Sequence, residues 1–135
     1  MNILALAKRH SGCSFHRVIM PLTFMHDIKA RITNLITEEL DDKQYDILFF
    51  NRLNYHYDGQ LDEARKKFGC KVVMDIDDDW KLPPNHLLYS DYERIGSIIE
   101  ANIEQSDLVT VTNERLADKV YKLNKNVEVH PNALP

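Results

Sequence analysis

Residues 71–80 read Lys71-Val72-Val73-Met74-Asp75-Ile76-Asp77-Asp78-Asp79-Trp80, an apolar run that ends in four carboxylates and a tryptophan. The run is continuous rather than alternating. Continuous apolar runs of strand length suit strands covered on both faces, as in a parallel sheet. Four more runs of the same kind lie at 2–7, 46–51, 107–112 and 127–130. The segment 27–40 is ambiguous, and we read a strand at 28–33 followed by a short helix at 35–42.

Helix-period segments separate these runs. Ile95, Ile98, Ile99 and Ile103 share one helical face, with Glu93, Arg94, Glu100 and Glu104 opposite. Leu116, Ala117, Val120 and Tyr121 make a second face, for which Thr112 or Asn113 is the expected cap. Leu61, Ala64 and Phe68 make a third, closed by Gly69 just past its end. Phe15, Val18, Ile19 and Leu22 keep helical spacing, and Pro21 predicts that this helix kinks or begins there. Strand–helix alternation of this kind predicts an α/β domain: a doubly wound, mostly parallel sheet with helices on both faces. No repeat or internal linker interrupts the 135 residues, and a chain of that length makes one domain.

Composition excludes several classes. The chain is 44% hydrophobic and 28% charged with four Gly and five Pro, which rules out collagen-like and disordered chains. Seventeen Lys and Arg against twenty-one Asp and Glu give a formal charge of −4, a field that repels phosphate backbones; nucleic acid is not the expected partner. No apolar run approaches the roughly 18 residues of a membrane span, and the two isolated cysteines, Cys13 and Cys70, suit a reducing compartment. A cytoplasmic location is therefore expected. The six histidines show no metal-ligand spacing, so no metal site is read.

Ligands of open parallel sheets bind outside the carboxyl ends of the strands. After the first run come Ser11, Gly12 and Ser14, whose backbone N–H groups near a helix start favour an anion, with Arg17 in reach as a fixed cation. The lone glycine excludes a G-x-G-x-x-G or Walker loop. After the second run, Asn51 and Arg52 are expected to line the same crevice. After the third, four carboxylates in five residues repel one another unless solvated, paired or metal-bound. Strand alternation sets Asp75 and Asp77 on one side and Asp78 on the other. This D-x-D pattern admits a haloacid-dehalogenase-like phosphatase, with Asp75 as nucleophile and Asp77 as acid/base. That motif normally opens its domain, and here Asp78-Asp79 replace the Thr or Val expected after it.

The same residues carry a family resemblance. The stretch 71–80 resembles the fourth strand of the N-terminal domain of GT-B glycosyltransferases, in the branch with D-x-D-D and an aromatic. The segment 45–52, Tyr-Asp-Ile-Leu-Phe-Phe-Asn-Arg, is similar to that branch's YD-apolar-R strand. The segment 106–117 resembles its aD-x-V-T-V-S/T-x-x-L-A strand and helix, and 126–133 its N-V-x-V-I-P-N-G element before the hinge. Residues 12–21 are similar to its G-x-x-x-Y-R-x-x-x-P opening. The segments occur in family order at fitting separations.

The resemblance implies a Rossmann-like acceptor-side domain spanning 1–135 and ending at the interdomain hinge, with the C-terminal donor domain absent. It implies sugar transfer from a nucleotide-sugar donor to a hydroxyl acceptor, with no cofactor, usually without a metal, and no activity from this half alone. Residue by residue, it places Asp77 where many relatives carry a catalytic His and Asp78 at the Asp that follows. Asp77 is then a general base, a ligand of the acceptor hydroxyl, or structural. Gly12, Ser14, Arg17, Arg52, Asp75, Trp80 and Asn132 are the substrate-binding candidates, Trp80 by stacking on a sugar face. These side chains are expected along one rim of the sheet. A non-catalytic α/β binding module is the alternative on the same fold.

Overall fold

The computed structural model describes residues 1–7, 11–33, 44–51 and 60–132. The strands are β1 (Asn2–Leu6), β2 (Lys29–Thr33), β3 (Ile47–Asn51), β4 (Lys71–Ile76), β5 (Leu108–Val111) and β6 (Val127–Val129). The described residues form one six-stranded sheet in the order β2-β1-β3-β4-β5-β6, with every neighbouring pair parallel. The chain thus forms a Rossmann-like α/β fold, and its sheet is uniformly parallel. The strand expected at 28–33 is β2, while the helix expected at 35–42 lies outside the described residues.

Alternation along β1 explains how both faces are filled. Leu4 and Leu6 enter one apolar cluster together with Leu48, Phe50, Val72, Met74, Ile76, Val109 and Val111. Three helices cover that face: α3 (Gln60–Phe68) through Leu61, Ala64 and Phe68, α4 (Tyr89–Gln105) through Ile99 and Ile103, and α5 (Glu114–Tyr121) through Leu116, Ala117 and Val120. Ile3, Ala5 and Ala7 point the other way and meet Val18 and Leu22. Each fully buried aliphatic or aromatic side chain of this kind contributes roughly 1.5–3 kcal/mol relative to exposure.

Local chemistry sets the helix ends. Gly69 takes φ 65 and donates its N–H to the Arg65 carbonyl at 2.9 Å, a left-handed turn that suits glycine and stops α3. Asn113 Oδ1 accepts the Leu116 N–H at 2.9 Å and starts α5, so of the two cap candidates it is Asn113 that serves. The second-face helical stretch runs as α1 (Gly12–Ser14), a π segment (Phe15–Ile19) and α2 (Met20–Thr23), with Pro21 in the first turn of α2. Pro21 has no N–H to give and its ring crowds the carbonyl one turn earlier. The ladder widens ahead of it, and Met20 N–H reaches back five residues to Phe15.

Two aspartates of the quoted motifs have scaffold roles at the opposite, amino edge of the sheet. Asp46, just before β3, accepts the Asn2 N–H at 2.7 Å. Asp107, just before β5, accepts the Val72 N–H at 2.8 Å and pairs with Arg65 at 3.2 Å. Among the described residues, no helix is long and apolar enough to cross a membrane.

Candidate functional site

The strand order reverses at β1, whose two neighbours are β2 and β3, and such a switch point opens a crevice at the carboxyl edge. The register places Asn51 of β3 beside Asp75 of β4, and Asp75 beside Thr110 of β5. A polar row therefore crosses three strands at one level, where each apolar run gives out.

Asp75 is the hub of this row and is 1% exposed. Arg17, from the π segment, donates through Nε to Oδ2 at 3.0 Å and through Nη2 to Oδ1 at 2.7 Å. Thr110 Oγ1 donates to Oδ1 at 2.6 Å, and Asn51 Nδ2 to Oδ2 at 2.9 Å. All four bonds run to a charged acceptor, and the arginine fork is bidentate, the strong geometry for such a pair. Arg17 also donates through Nη1 to the His130 carbonyl at 2.8 Å and to Asn132 Oδ1 at 3.1 Å. Burial alone would lower the guanidinium pKa, but the hydrogen bond and charge of Asp75, helped by Asp77, raise it above its ordinary value.

Asn51 Nδ2 also donates to Asp77 Oδ1 at 3.2 Å, so one amide nitrogen spans both carboxylates. That fixes the orientation of the amide, and its buried Oδ1 has no hydrogen-bond partner among the described residues. The Asp77 carbonyl accepts the Thr112 hydroxyl at 3.3 Å. Asp77, half-buried, is thereby held from the end of β3 and from the residue just after β5.

The rest of the acidic run disperses. Asp78 is exposed and accepts the Asp79 N–H at 2.8 Å, outside the crevice. Asp79 accepts the Lys81 N–H at 3.0 Å and pairs with Lys119 and, at 3.9 Å, with Arg115. Burial would raise the Asp79 pKa, but the bonds from Lys119 and the Lys81 N–H and the two cationic charges bring it below the ordinary value. Repulsion within the cluster is thus relieved by Arg17 at Asp75, by Lys119 and Arg115 at Asp79, and by solvent at Asp78.

A crevice of about 1030 Å³ opens above the row. Of the sequence candidates, Gly12, Arg17, Asp75, Asp77 and Asn132 line it. A Cβ added at Gly12 would meet no atom within 4 Å, so the glycine borders open space. Besides Asp78, two candidates sit elsewhere. Ser14 is buried, and its N–H goes to Ser11 Oγ at 3.3 Å. Trp80 is also buried, with Nε1 donating to Glu100 Oε1 at 3.1 Å, so it offers no stacking face to this crevice. Arg52 lies outside the described residues.

Other lining residues escaped the sequence reading: Thr110, His16, His130 and the apolar wall of Met20, Leu22, Phe24, Met25 and Phe49. Thr110 had a usable signal, a polar residue two positions into an apolar run whose neighbours end in Asn51 and Asp75. The crevice thus joins a carboxylate at hydrogen-bonding reach of a ligand, a neutralised Arg17–Asp75 pair and a broad apolar wall. No family model matches this chain, and no curated protein matches it.

Proposed function

We propose that this chain is the acceptor-side half of a GT-B-type glycosyltransferase, transferring a sugar from a nucleotide-sugar donor to a hydroxyl acceptor. One observation carries the reading: Asp77 lines a large crevice at the switch point of a parallel sheet, its carboxylate anchored by Asn51 and its backbone by Thr112. The co-linear motif resemblance supports it. In this reading Asp77 accepts the proton of the acceptor hydroxyl as the new glycosidic bond forms. Asn51 holds the carboxylate toward the crevice, and Asp75 and Arg17 set the position of both. Donor phosphates are held by a facing domain, so this half alone shows no transfer, because placement of the reacting groups needs both walls.

Arg17 does not serve as the phosphate clamp in this scheme. Its fork is committed to Asp75, His130 and Asn132. Asp75 is likewise a poor nucleophile for the phosphatase reading, since both of its oxygens accept two hydrogen bonds each and almost none of its surface is exposed. The committed Arg17 does favour one competitor, a binding module without turnover.

The test is a donor-hydrolysis and transfer screen over nucleotide sugars, run on this chain joined to its donor-binding domain, with Asp77→Ala alongside. The expected result is turnover on one donor class, reduced about 10²–10⁴-fold in the variant. Unchanged turnover in Asp77→Ala removes the base assignment. Absence of turnover on every donor favours the binding module.

A further inference from the structure

A second cavity of about 350 Å³ lies apart from the crevice, between residues 80–82 and the first half of α4. Its volume falls at the small end of ligand-binding pockets. Tyr89 and Tyr92, three residues apart on one helical face, supply two half-buried aromatic rings, and the buried Trp80 lies at the base. Gly96 and Ser97 also line it, and a Cβ at Gly96 would rest in ordinary contact with the Trp80 carbonyl at 3.6 Å and Trp80 Cδ1 at 3.9 Å.

The charges in the lining are Glu93, Glu100 and Lys81. Glu100 Oε1 accepts the Trp80 indole N–H at 3.1 Å and pairs with Lys81 Nζ at 3.5 Å. Lys81 is 74% exposed at its side chain, so this pair is weak and the lysine is easily displaced into water. Glu93 and Tyr89 line the cavity together, and Glu93 holds the Tyr89 phenol pKa above its ordinary value. Two carboxylates against one mobile ammonium leave net negative charge beside the two half-buried tyrosine rings. A quaternary or alkylated ammonium is the group that gains from both at once: its charge meets the ring quadrupoles and the carboxylates, and its methyl groups meet apolar ring surface.

We propose that this cavity is a binding site for a small organic cation bearing an alkylated ammonium group. A neutral saccharide ring would use the aromatic faces but draw nothing from the surplus negative charge. The site is independent of the sugar-transfer reading and stands if that reading fails.

Trp80 is the only tryptophan of the chain and lines this cavity, so tryptophan emission comes from one known position. The experiment titrates the protein with tetramethylammonium chloride while sodium chloride holds the ionic strength constant. The expected result is a saturable change in Trp80 emission with millimolar half-saturation. Tyr92→Leu should raise that half-saturation roughly fivefold or more, whereas Tyr92→Phe, which keeps the π face, should leave it near wild type. Glu93→Gln, at an exposed position, should weaken binding without disturbing the fold. A response that grows linearly, is matched by sodium chloride, or survives Tyr92→Leu in a folded protein overturns the proposal. A saturable response to glucose with none to tetramethylammonium would replace it with a saccharide site.

Discussion

Arg17 and Asp75 stand 58 residues apart in the chain, and their side chains are only 9% and 2% exposed. A charge removed from water to this degree is costly unless its partner stays in place, and deletion of one member leaves the other stranded. Asp75→Ala should lower stability by about 3–5 kcal/mol, measured by urea unfolding. Arg17→Met should cost less, because Thr110 and Asn51 still hydrogen-bond the carboxylate. The double variant should lose less than the two single losses added together, the signature of a direct pair. None of this pairing was legible in the sequence. Arg17 and Asp75 each read as a ligand-facing group, because spacing along a chain does not reveal which charge will satisfy which. Trp80 misled for a similar reason: beside four aspartates it reads as an aromatic for stacking on a sugar, while its burial depends on α4, sixteen and more residues downstream.

At the level of elements, the acidic turn after β4 is held to α5 by Asp79 through Lys119 and Arg115. Its folded-state pKa lies below the ordinary carboxylate value of about 3.9. The contribution of Asp79 is therefore fully present above that ordinary value and is lost as pH falls through the lower folded-state value. Asp107, where burial is likewise outweighed by the Val72 N–H and Arg65, shifts in the same direction. Asp79→Asn should destabilise the protein at pH 7, and its gap from wild type in urea midpoint should shrink below about pH 4. A gap that persists there would mean the loss is not one of charge. At the start of α5, Asn113→Ala should cost about 1 kcal/mol by the same measurement. These elements were largely legible. Apolar runs and helical faces placed the strands and three of the helices to within a few residues, and Gly69 and Asn113 marked the ends. The π segment was not legible, since the way a helix accommodates Pro21 depends on what its far side packs against.

Taken as a whole, the molecule is filled unevenly. Phe50 is fully buried at the centre of the sheet, while its neighbour Phe49 is half-buried and faces the crevice. Phe50→Ala should cost about 3–5 kcal/mol. Phe49→Ala should cost clearly less in stability and act instead on ligand binding, a contrast readable from paired unfolding and binding curves. Sheet direction was legible because buried parallel strands must be apolar on both faces. The strand order and the wall around the crevice were not, because they depend on register between segments distant in sequence. That distance has a temporal side. Strand β1 needs β2 and β3 beside it, and Arg17 waits on partners at 75, 130 and 132. A ribosome adding about 5–20 residues per second emits residue 132 roughly ten seconds after residue 17. Asp75 is made about halfway through that interval, so the guanidinium can gain its carboxylate partner well before the contacts to 130 and 132 complete its set.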